Sequence, residues 1–183
     1  MPTPEQTEGP FYPLNFPIDD DNDLTWVKDK KKEALGQKII ILGRVFNDHY
    51  QPVKKARVEI WQACHSGRYN HQYDPNKAPI DPNFQGWGWT TTNEKGCYAF
   101  KTIKPAGYPV TYDWKRPPHI HFKITESHQK EFITQLYFSE EQELNKRDKI
   151  LQRIPKDKQS LVMTKLVDNN SLDIKFGKFD IIL

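Results

Sequence analysis

Two histidines that stand two residues apart, His119 and His121, are the first feature of this chain that could carry chemistry. They lead into an alternating apolar run, a pattern that predicts a β-strand. Alternate residues of a strand lie on the same face, so both imidazoles would point at one spot, which is the geometry of a metal site. Ordinary strands with a polar face can carry the same spacing. Arg116 and two prolines bring the chain to this strand from a loop.

Two tyrosines in loop-like segments, Tyr69 and Tyr108, add possible oxygen donors. Tyrosine alone is a poor metal ligand, because a pKa of about 10 keeps the phenol protonated at neutral pH. A hard, trivalent cation stabilises the phenolate, and Fe(III) suits two phenolates and two imidazoles better than Zn or Fe(II) does. Taken singly, these tyrosines are typical of loop aromatics that cap a core.

The elements that must position these side chains are mostly strands. Hydrophobic patterns predict a buried strand over 38–46, a half-exposed strand over 56–63, a strand over 131–138 that pairs with the histidine strand, and closing strands over 161–167 and 174–183. A long connection between the second strand and Trp89 is rich in aromatic residues, which is typical of functional loops.

Two further elements are expected. Residues 91–100 predict a β-hairpin with Gly96 at a positive φ. A charged segment capped by Ser139 and running to Arg153 predicts the one sizeable helix, with Pro155 ending it. The sum is an all-β fold, a β-sandwich with long catalytic loops and one peripheral helix.

Composition limits the class of protein. The 183 residues predict one domain, 1–183, with an extended N-terminal arm and loop over 1–37 and a sandwich core over 38–183. A net charge of +3 is too small to indicate nucleic-acid binding, and no apolar run is long enough to span a membrane. Two cysteines without Cys-x-x-Cys spacing, Cys64 and Cys97, are expected to be buried thiols in a cytoplasmic protein.

Ordered sequence blocks along nearly the whole chain resemble the intradiol ring-cleaving dioxygenases, and within them the protocatechuate 3,4-dioxygenase branch. The blocks include Thr7–Pro13, Val58–Ala63, Gly67–Tyr69, Asp81–Gly86, Gly96–Pro105, Tyr108–Pro109, Arg116–Phe122, Thr134–Phe138 and Phe179–Leu183. The resemblance implies that the four metal ligands are Tyr69, Tyr108, His119 and His121. It places Arg116 and Gln135 beside the substrate, and it implies a substrate pocket that includes Tyr12, Trp89, Val110 and Tyr137.

The resemblance also implies an activity. The cofactor would be Fe(III), and a catechol-type aromatic diol, protocatechuate-like, would be cleaved with O2 between its hydroxylated carbons to give a muconate-type diacid. Tyr108 would be displaced by the diol and help take up a proton, while Arg116 would stabilise developing negative charge. Trp89 stands where the family often carries arginine, and Val110 where a bulkier aromatic can line the pocket, which bears on substrate choice.

The resemblance implies an oligomer as well, either a homo-oligomer or a hetero-oligomer with a related ligand-free subunit. Two rival interpretations stay open. The segment from Gly43 to Ile103 is also similar to prealbumin-like modules, non-enzymatic sandwiches that bind without a metal. A zinc hydrolase could use His119 and His121, although the sequence offers no clear third ligand. The remaining histidines are expected at the surface: His49, His65, His71 and His128. Four tryptophans are expected to serve in packing rather than in catalysis: Trp61, Trp87, Trp89 and Trp114.

Overall fold

The computed structural model describes residues 1–17, 19–126, 129–169 and 172–183, so the prediction for His128 lies outside the described residues. The strands are β1 (Lys38–Phe46), β2 (Arg57–Trp61), β3 (Trp87–Thr91), β4 (Cys97–Ile103), β5 (Tyr108–Thr111), β6 (Trp114–Arg116), β7 (His119–Thr125), β8 (Glu131–Phe138), β9 (Met163–Thr164), β10 (Val167–Asn169), β11 (Leu172–Lys178) and β12 (Ile181–Ile182). One α-helix, α1 (Gln142–Arg147), and two 3₁₀-helices, Leu151–Arg153 and Lys156–Val162, complete the described elements. None of these helices is long and apolar enough to cross a membrane.

The strands form two five-stranded sheets and a short ribbon. In the first sheet β1 is central: it pairs in parallel with β11 and β12 and antiparallel with β4, while β10 pairs with β11. The second sheet has the order β3-β2-β7-β8-β9, with only β9 parallel to its neighbour. The antiparallel ribbon of β5 and β6 is separate from both.

The two larger sheets pack on one apolar core, which confirms the β-sandwich. Ile41 and Phe100 come to it from the first sheet, and Ile60 and Phe122 from the second. The rings of Phe100 and Phe122 meet edge to face, with centroids 6.3 Å apart. Because side chains alternate along a strand, the opposite face of the second sheet is free to carry other residues.

The strand over 38–46 is confirmed, although its side chains alternate between buried and more exposed positions. The second strand, observed as β2, was predicted as half-exposed and is instead almost entirely buried. Its outward-facing Glu59 is covered because Tyr12 of the N-terminal arm donates a 2.9 Å hydrogen bond to its carboxylate. The predicted pairing of 131–138 with the histidine strand is confirmed as β8 against β7.

The hairpin predicted over 91–100 is wrong, although Gly96 does adopt a positive φ of 71°. The strands on either side of the turn belong to different sheets: β3 pairs with β2, and β4 pairs with β1. The side chain of Asn93 accepts the amide hydrogens of Lys95 and Cys97, so the turn is tight. The chain nevertheless crosses from one layer of the sandwich to the other there.

The helix predicted up to Arg153 is much shorter. It ends at Arg147, its N-cap position is Glu141 rather than Ser139, and no side chain caps it. Asp148 turns to an extended conformation because its buried carboxylate accepts the backbone N–H of Leu151, a local bond that competes with the helical one. The closing strands are also broken, with a 3₁₀-helix over Lys156–Val162 and short strands where longer ones were expected.

Candidate active site

The free face of the second sheet carries both histidines of the motif. Cross-strand pairing aligns Trp87, Trp61, His121 and Gln135 in one row across β3, β2, β7 and β8. The ring of Trp61 stacks on that of His121, with centroids 4.7 Å apart and an interplanar angle of 11°. His119 lies two residues before His121 in β7 and on the same face, as its spacing predicts, and both imidazoles are buried.

Two loops bring Tyr69 and Tyr108 over these histidines, and they can do so because glycines let them approach closely. Gly67 has a φ of 85°, and a Cβ on it would lie 2.8 Å from the carbonyl oxygen of Gly107. The backbone N–H of Tyr69 donates to the carboxylate of Asp74 at 2.7 Å, which fixes the first loop. Tyr108 begins β5 and lies opposite Arg116 of β6 in the ribbon.

The four side chains converge on one point. The phenol oxygen of Tyr69 lies 3.3 Å from Nε2 of His119. Ring centroids are 5.6 Å apart for Tyr69 and Tyr108, 5.7 Å for Tyr108 and His119, and 5.0 Å for His119 and His121. Two metal bonds of about 2 Å meeting at about 110° would separate their donor atoms by about 3.3 Å, so the closest donor pair already has the spacing of two ligands of one ion.

Burial sets the protonation of all four groups. It lowers the pKa of both histidines well below the usual value, with a smaller contribution from the positive charge of Arg116, so the imidazoles are neutral and have lone pairs to donate. His119 has its other nitrogen, Nδ1, 2.7 Å from the carbonyl oxygen of Pro117, which points Nε2 at the phenols. Burial raises the pKa of Tyr69 and Tyr108, so their phenolates need a bound cation to form.

The same four donors decide which kind of ion the point could take. Among the described residues, no group of three or more His, Cys, Asp or Glu side chains is placed to hold a metal. Any metal held at this point would therefore need the phenol oxygens. Two potential phenolates and two neutral imidazoles fit a hard, trivalent cation.

Arg116 lies beside the four donors in a buried polar network. Its Nη2 donates to Oε1 of Gln135 at 2.7 Å and to the phenol oxygen of Tyr137 at 3.0 Å. Its Nε lies 3.0 Å from Oδ1 of Asp148 in an ion pair, and both side chains are almost completely buried. Burial lowers the pKa of Arg116, but the surrounding tyrosines and the Asp148 carboxylate together outweigh burial and raise that pKa, so Arg116 stays a cation.

The N-terminal arm covers this network from above. The side chain of Gln6 donates to Thr134 Oγ1 and to the carbonyl oxygen of Gln135, at 3.1 and 3.0 Å, and accepts from the phenol of Tyr137 at 3.1 Å. A Cβ on Gly9 would lie 3.4 Å from Cε1 of His121. The ring of Phe11 packs against that of Tyr69, with centroids 4.8 Å apart. The arm therefore packs on its own chain in this structure.

The residues predicted for the substrate pocket do not form one cluster. Tyr137 is completely buried within the Arg116 network, whereas Val110 on the ribbon is 45% exposed. Tyr12 packs edge-on against Trp61, with centroids 5.0 Å apart. The ring of Trp89 lies one row further along the sheet, with the guanidinium of Arg57 4.2 Å from its centroid.

The structure also shows residues that the sequence did not single out. Asp148, Gln6 and Thr7 contact the side chains of the Arg116 network, with Thr7 accepting a 2.9 Å bond from Gln135. Thr7 belongs to a block that resembles the family, whereas no local pattern distinguishes Asp148 from the charged residues around it. Its signal is only its burial, which the sequence does not reveal.

Most of the residues assigned to packing or to the surface lie where they were expected. Trp61 and Trp87 are buried, and His49 is exposed on a turn. Trp114 and Cys97 depart from their assignments. Trp114 donates its indole N–H to Oδ1 of Asp148 at 3.2 Å and so joins the polar network. Of the two thiols, Cys64 is buried but Cys97 is partly exposed.

His65 and His71 are partly buried rather than fully at the surface. Nδ1 of His65 lies 3.8 Å from the carboxylate of Asp81. The ring of His71 lies against Phe11, with centroids 5.6 Å apart. Neither histidine is part of the four-donor group.

Comparison with known proteins gives relatives of one kind. The sequence profile of a family described as dioxygenase matches residues 7–183. The protocatechuate 3,4-dioxygenase beta chain of Burkholderia cepacia is 43% identical over 122 residues, covering 64% of this chain and 52% of that protein. Catechol 1,2-dioxygenase 2 of Acinetobacter lwoffii is 29% identical over 147 residues, covering 73% and 50%. This chain thus spans about half the length of these two curated relatives.

Solved structures share the fold. An intradiol ring-cleavage dioxygenase from Tetranychus urticae superposes with a TM-score of 0.75 at 22% identity, covering 100% of this chain and 94% of that one. The dioxygenase domain of a dioxygenase carbohydrate-binding protein fusion from Streptomyces sp. SirexAA-E gives 0.73 at 24% identity, with 100% and 98% covered. With the profile match over nearly the whole chain and the relatives above, the sequence belongs to the family of intradiol ring-cleaving dioxygenases.

Proposed function

We propose that this chain is a non-haem, Fe(III)-dependent intradiol dioxygenase. It cleaves a catechol-type aromatic diol, protocatechuate-like, with O2 between the two hydroxylated carbons and forms a muconate-type diacid. The observation that carries the proposal is the convergence of two phenols and two neutral imidazoles beside the buried cation Arg116. A prealbumin-like binding module has no use for such a donor set.

Tyr69, Tyr108, His119 and His121 would hold the iron. A bound ferric ion supplies the Lewis acidity that favours loss of the diol protons and prepares the ring for O2. The neutral imidazoles need no deprotonation before they bind, whereas each phenol must lose a proton. The donor set therefore favours a strongly charged cation over a divalent one.

Tyr108 is the residue that we assign to proton uptake from the diol. It is the most accessible of the four donors at 8% exposure, and it lies on the ribbon rather than on the sandwich. Arg116 is next to it in the ribbon, and its positive charge lowers the pKa of the Tyr108 phenol against the effect of burial. The same fixed charge would stabilise negative charge that develops on the reacting ring.

Colour and metal content test the proposal directly. Phenolates bound to ferric iron absorb visible light, so the protein purified from iron-replete cells should be coloured and contain iron. It should also open the ring of at least one of protocatechuate, catechol and hydroxyquinol, which is measured as the loss of the substrate absorbance. A colourless protein that holds no iron, or only zinc, would refute the assignment.

Two substitutions separate the roles within the site. Tyr108→Phe should keep iron through the remaining donors but lose most ring-opening activity, whereas His121→Ala should lose the iron itself. Tyr112→Phe, on the exposed tip of the same ribbon, is the matched tyrosine control, and His49→Ala is the histidine control. Equal activity in the two site variants would show that the site is misplaced.

We also propose that the chain assembles into an oligomer, either with itself or with a related subunit that lacks the ligands. Relatives named as alpha and beta chains of protocatechuate 3,4-dioxygenase support two kinds of subunit. Light scattering on the purified chain, together with iron per protomer, distinguishes the two arrangements. A monomer with full activity would refute both.

A further inference from the structure

The carboxylate of Asp148 has a place in the site that the chemistry above does not use. Asp148 is completely buried at the end of α1, and three hydrogen bonds and an ion pair hold its two oxygens. Oδ1 is 3.0 Å from Arg116 Nε and accepts from the indole N–H of Trp114 at 3.2 Å. Oδ2 accepts from Arg116 Nη2 at 3.4 Å and from the backbone N–H of Leu151 at 3.1 Å. A carboxylate held at both oxygens cannot pivot.

This carboxylate occupies one edge of the Arg116 guanidinium. Nε and Nη2 face Asp148, and Nη2 is also shared with Gln135 and Tyr137. No described residue forms a hydrogen bond with Nη1. Because the guanidinium is a rigid plane, fixing two of its nitrogens also fixes the direction of the third. Asp148, together with Gln135 and Tyr137, therefore sets the direction of Nη1.

We propose that Asp148 is the positioning residue for Arg116, holding the guanidinium so that Nη1 stays available to the negative charge that forms on the reacting diol. The inference rests on the proposed function and adds a residue to it. It also gives α1 and the turn after it a role, because they deliver the carboxylate to the site. A buried ion pair adds little net stability relative to apolar packing. The contacts that hold both carboxylate oxygens favour orientation of the guanidinium as its role.

Asp148→Asn tests the proposal because it keeps the shape of the side chain and removes its charge. Asp148 forms hydrogen bonds with Trp114, Arg116 and Leu151 and with none of the four proposed ligands, so iron content and the visible band should match those of the unsubstituted protein. The kcat per bound iron should fall about 10- to 100-fold, the usual effect of losing the partner that orients a functional group. KM should change little, since the lost interaction belongs to the transition state.

Asp113→Asn is the matched control. Asp113 is an exposed carboxylate on the β5–β6 ribbon that carries Arg116, and it lies 3.6 Å from Lys149. Its substitution should leave kcat and KM unchanged. A purely structural role for Asp148 would reduce the amount of folded, iron-bound protein and leave kcat per iron intact. That outcome would overturn the proposal.

A double-substitution cycle tests whether Asp148 acts through Arg116. Arg116→Gln should lower kcat about 100- to 1,000-fold, and adding Asp148→Asn to it should cost less than about twofold more. Losses that multiply would overturn the proposal. If Asp148→Asn does not fold, Trp114→Phe removes one donor to the carboxylate without changing charge, and it should lower kcat about two- to tenfold only when Arg116 is present.

These outcomes are distinct from failure of the proposed function. If the unsubstituted protein holds no iron and opens the ring of no diol, the proposed function itself is refuted. An active, coloured protein in which Trp114→Phe and Asp148→Asn leave kcat per iron unchanged would refute only the role of Asp148.

Discussion

Replacing Gln6 by alanine should weaken the attachment of the N-terminal arm to the site while leaving the sandwich intact. The Gln6 side chain makes three hydrogen bonds to β8, two as a donor and one as an acceptor. Its backbone N–H also donates to the carbonyl oxygen of Ile133 at 2.8 Å, and the substitution does not remove that bond. The side chain is therefore the part of the attachment that can be tested on its own.

The expected magnitude follows from those three bonds. Each neutral hydrogen bond contributes about 0.5–1.5 kcal/mol net, which gives about 1.5–4.5 kcal/mol for the set. Gln6 is only partly buried, and water replaces some of the lost bonds, so a value of about 2 kcal/mol is expected. The opening equilibrium of the arm should then increase about 30-fold.

Amide hydrogen exchange measures this opening residue by residue. In Gln6→Ala the protection of the amide of residue 6 should be about 30-fold lower than in the unsubstituted protein, whereas amides in the core strand β7 should keep their protection. Gln72→Ala, which changes an exposed glutamine in the long loop, is the control. The reasoning is refuted if the amide of residue 6 is equally protected in Gln6→Ala and Gln72→Ala, or if β7 loses protection by the same factor.

Three other predictions concern stability and charge. Burial lowers the pKa of His119 and His121 below that of the unfolded chain, so the metal-free protein should become less stable as the pH falls. The free energy of unfolding, measured with urea at several pH values, should fall by about 1.4 kcal/mol per histidine for each pH unit below about 6.5. An unfolding free energy that stays constant between pH 7 and 5.5 would contradict this. Gly43→Ala should cost at least about 3 kcal/mol, or prevent folding, because its Cβ would lie 1.7 Å from the carbonyl oxygen of Phe179; an unchanged melting temperature would argue against the close contact. Arg116→Lys should keep iron and colour but lower kcat at least tenfold, since an ammonium cannot pair along one edge with a carboxylate; near-normal turnover would show that charge alone suffices.

The free face of the second sheet explains why this fold can hold such a site. One face of each strand contributes to the sandwich core, and the other carries Trp61, His121 and Gln135 in a single row. The sheet fixes their backbone positions, so the polar groups are held rigidly. The loops and the arm then only have to cover the row and exclude water.

Resemblance to a family, rather than a local pattern, suggested Tyr69 and Tyr108 as donors beside the histidines. The sequence by itself predicted most of the strands and the shared face of His119 and His121. These follow from local patterns, because the alternation of a strand is a property of neighbouring residues. It also predicted Gly96 at a positive φ, which needs only the steric freedom of glycine. It failed where two partners competed for the same segment, as in the hairpin over 91–100.

Only the tertiary structure decided what surrounds the donors. Gln6 reaches Gln135 across 129 residues of sequence, and Asp148 reaches Arg116 across 32, so no local pattern could pair them. The burial of Asp148 is also what ends α1, because a carboxylate removed from water must take every donor within reach, including the backbone N–H of Leu151. The sequence thus shows which functional groups are present. Tertiary packing decides how they are oriented, and the desolvation that comes with packing decides how they are protonated.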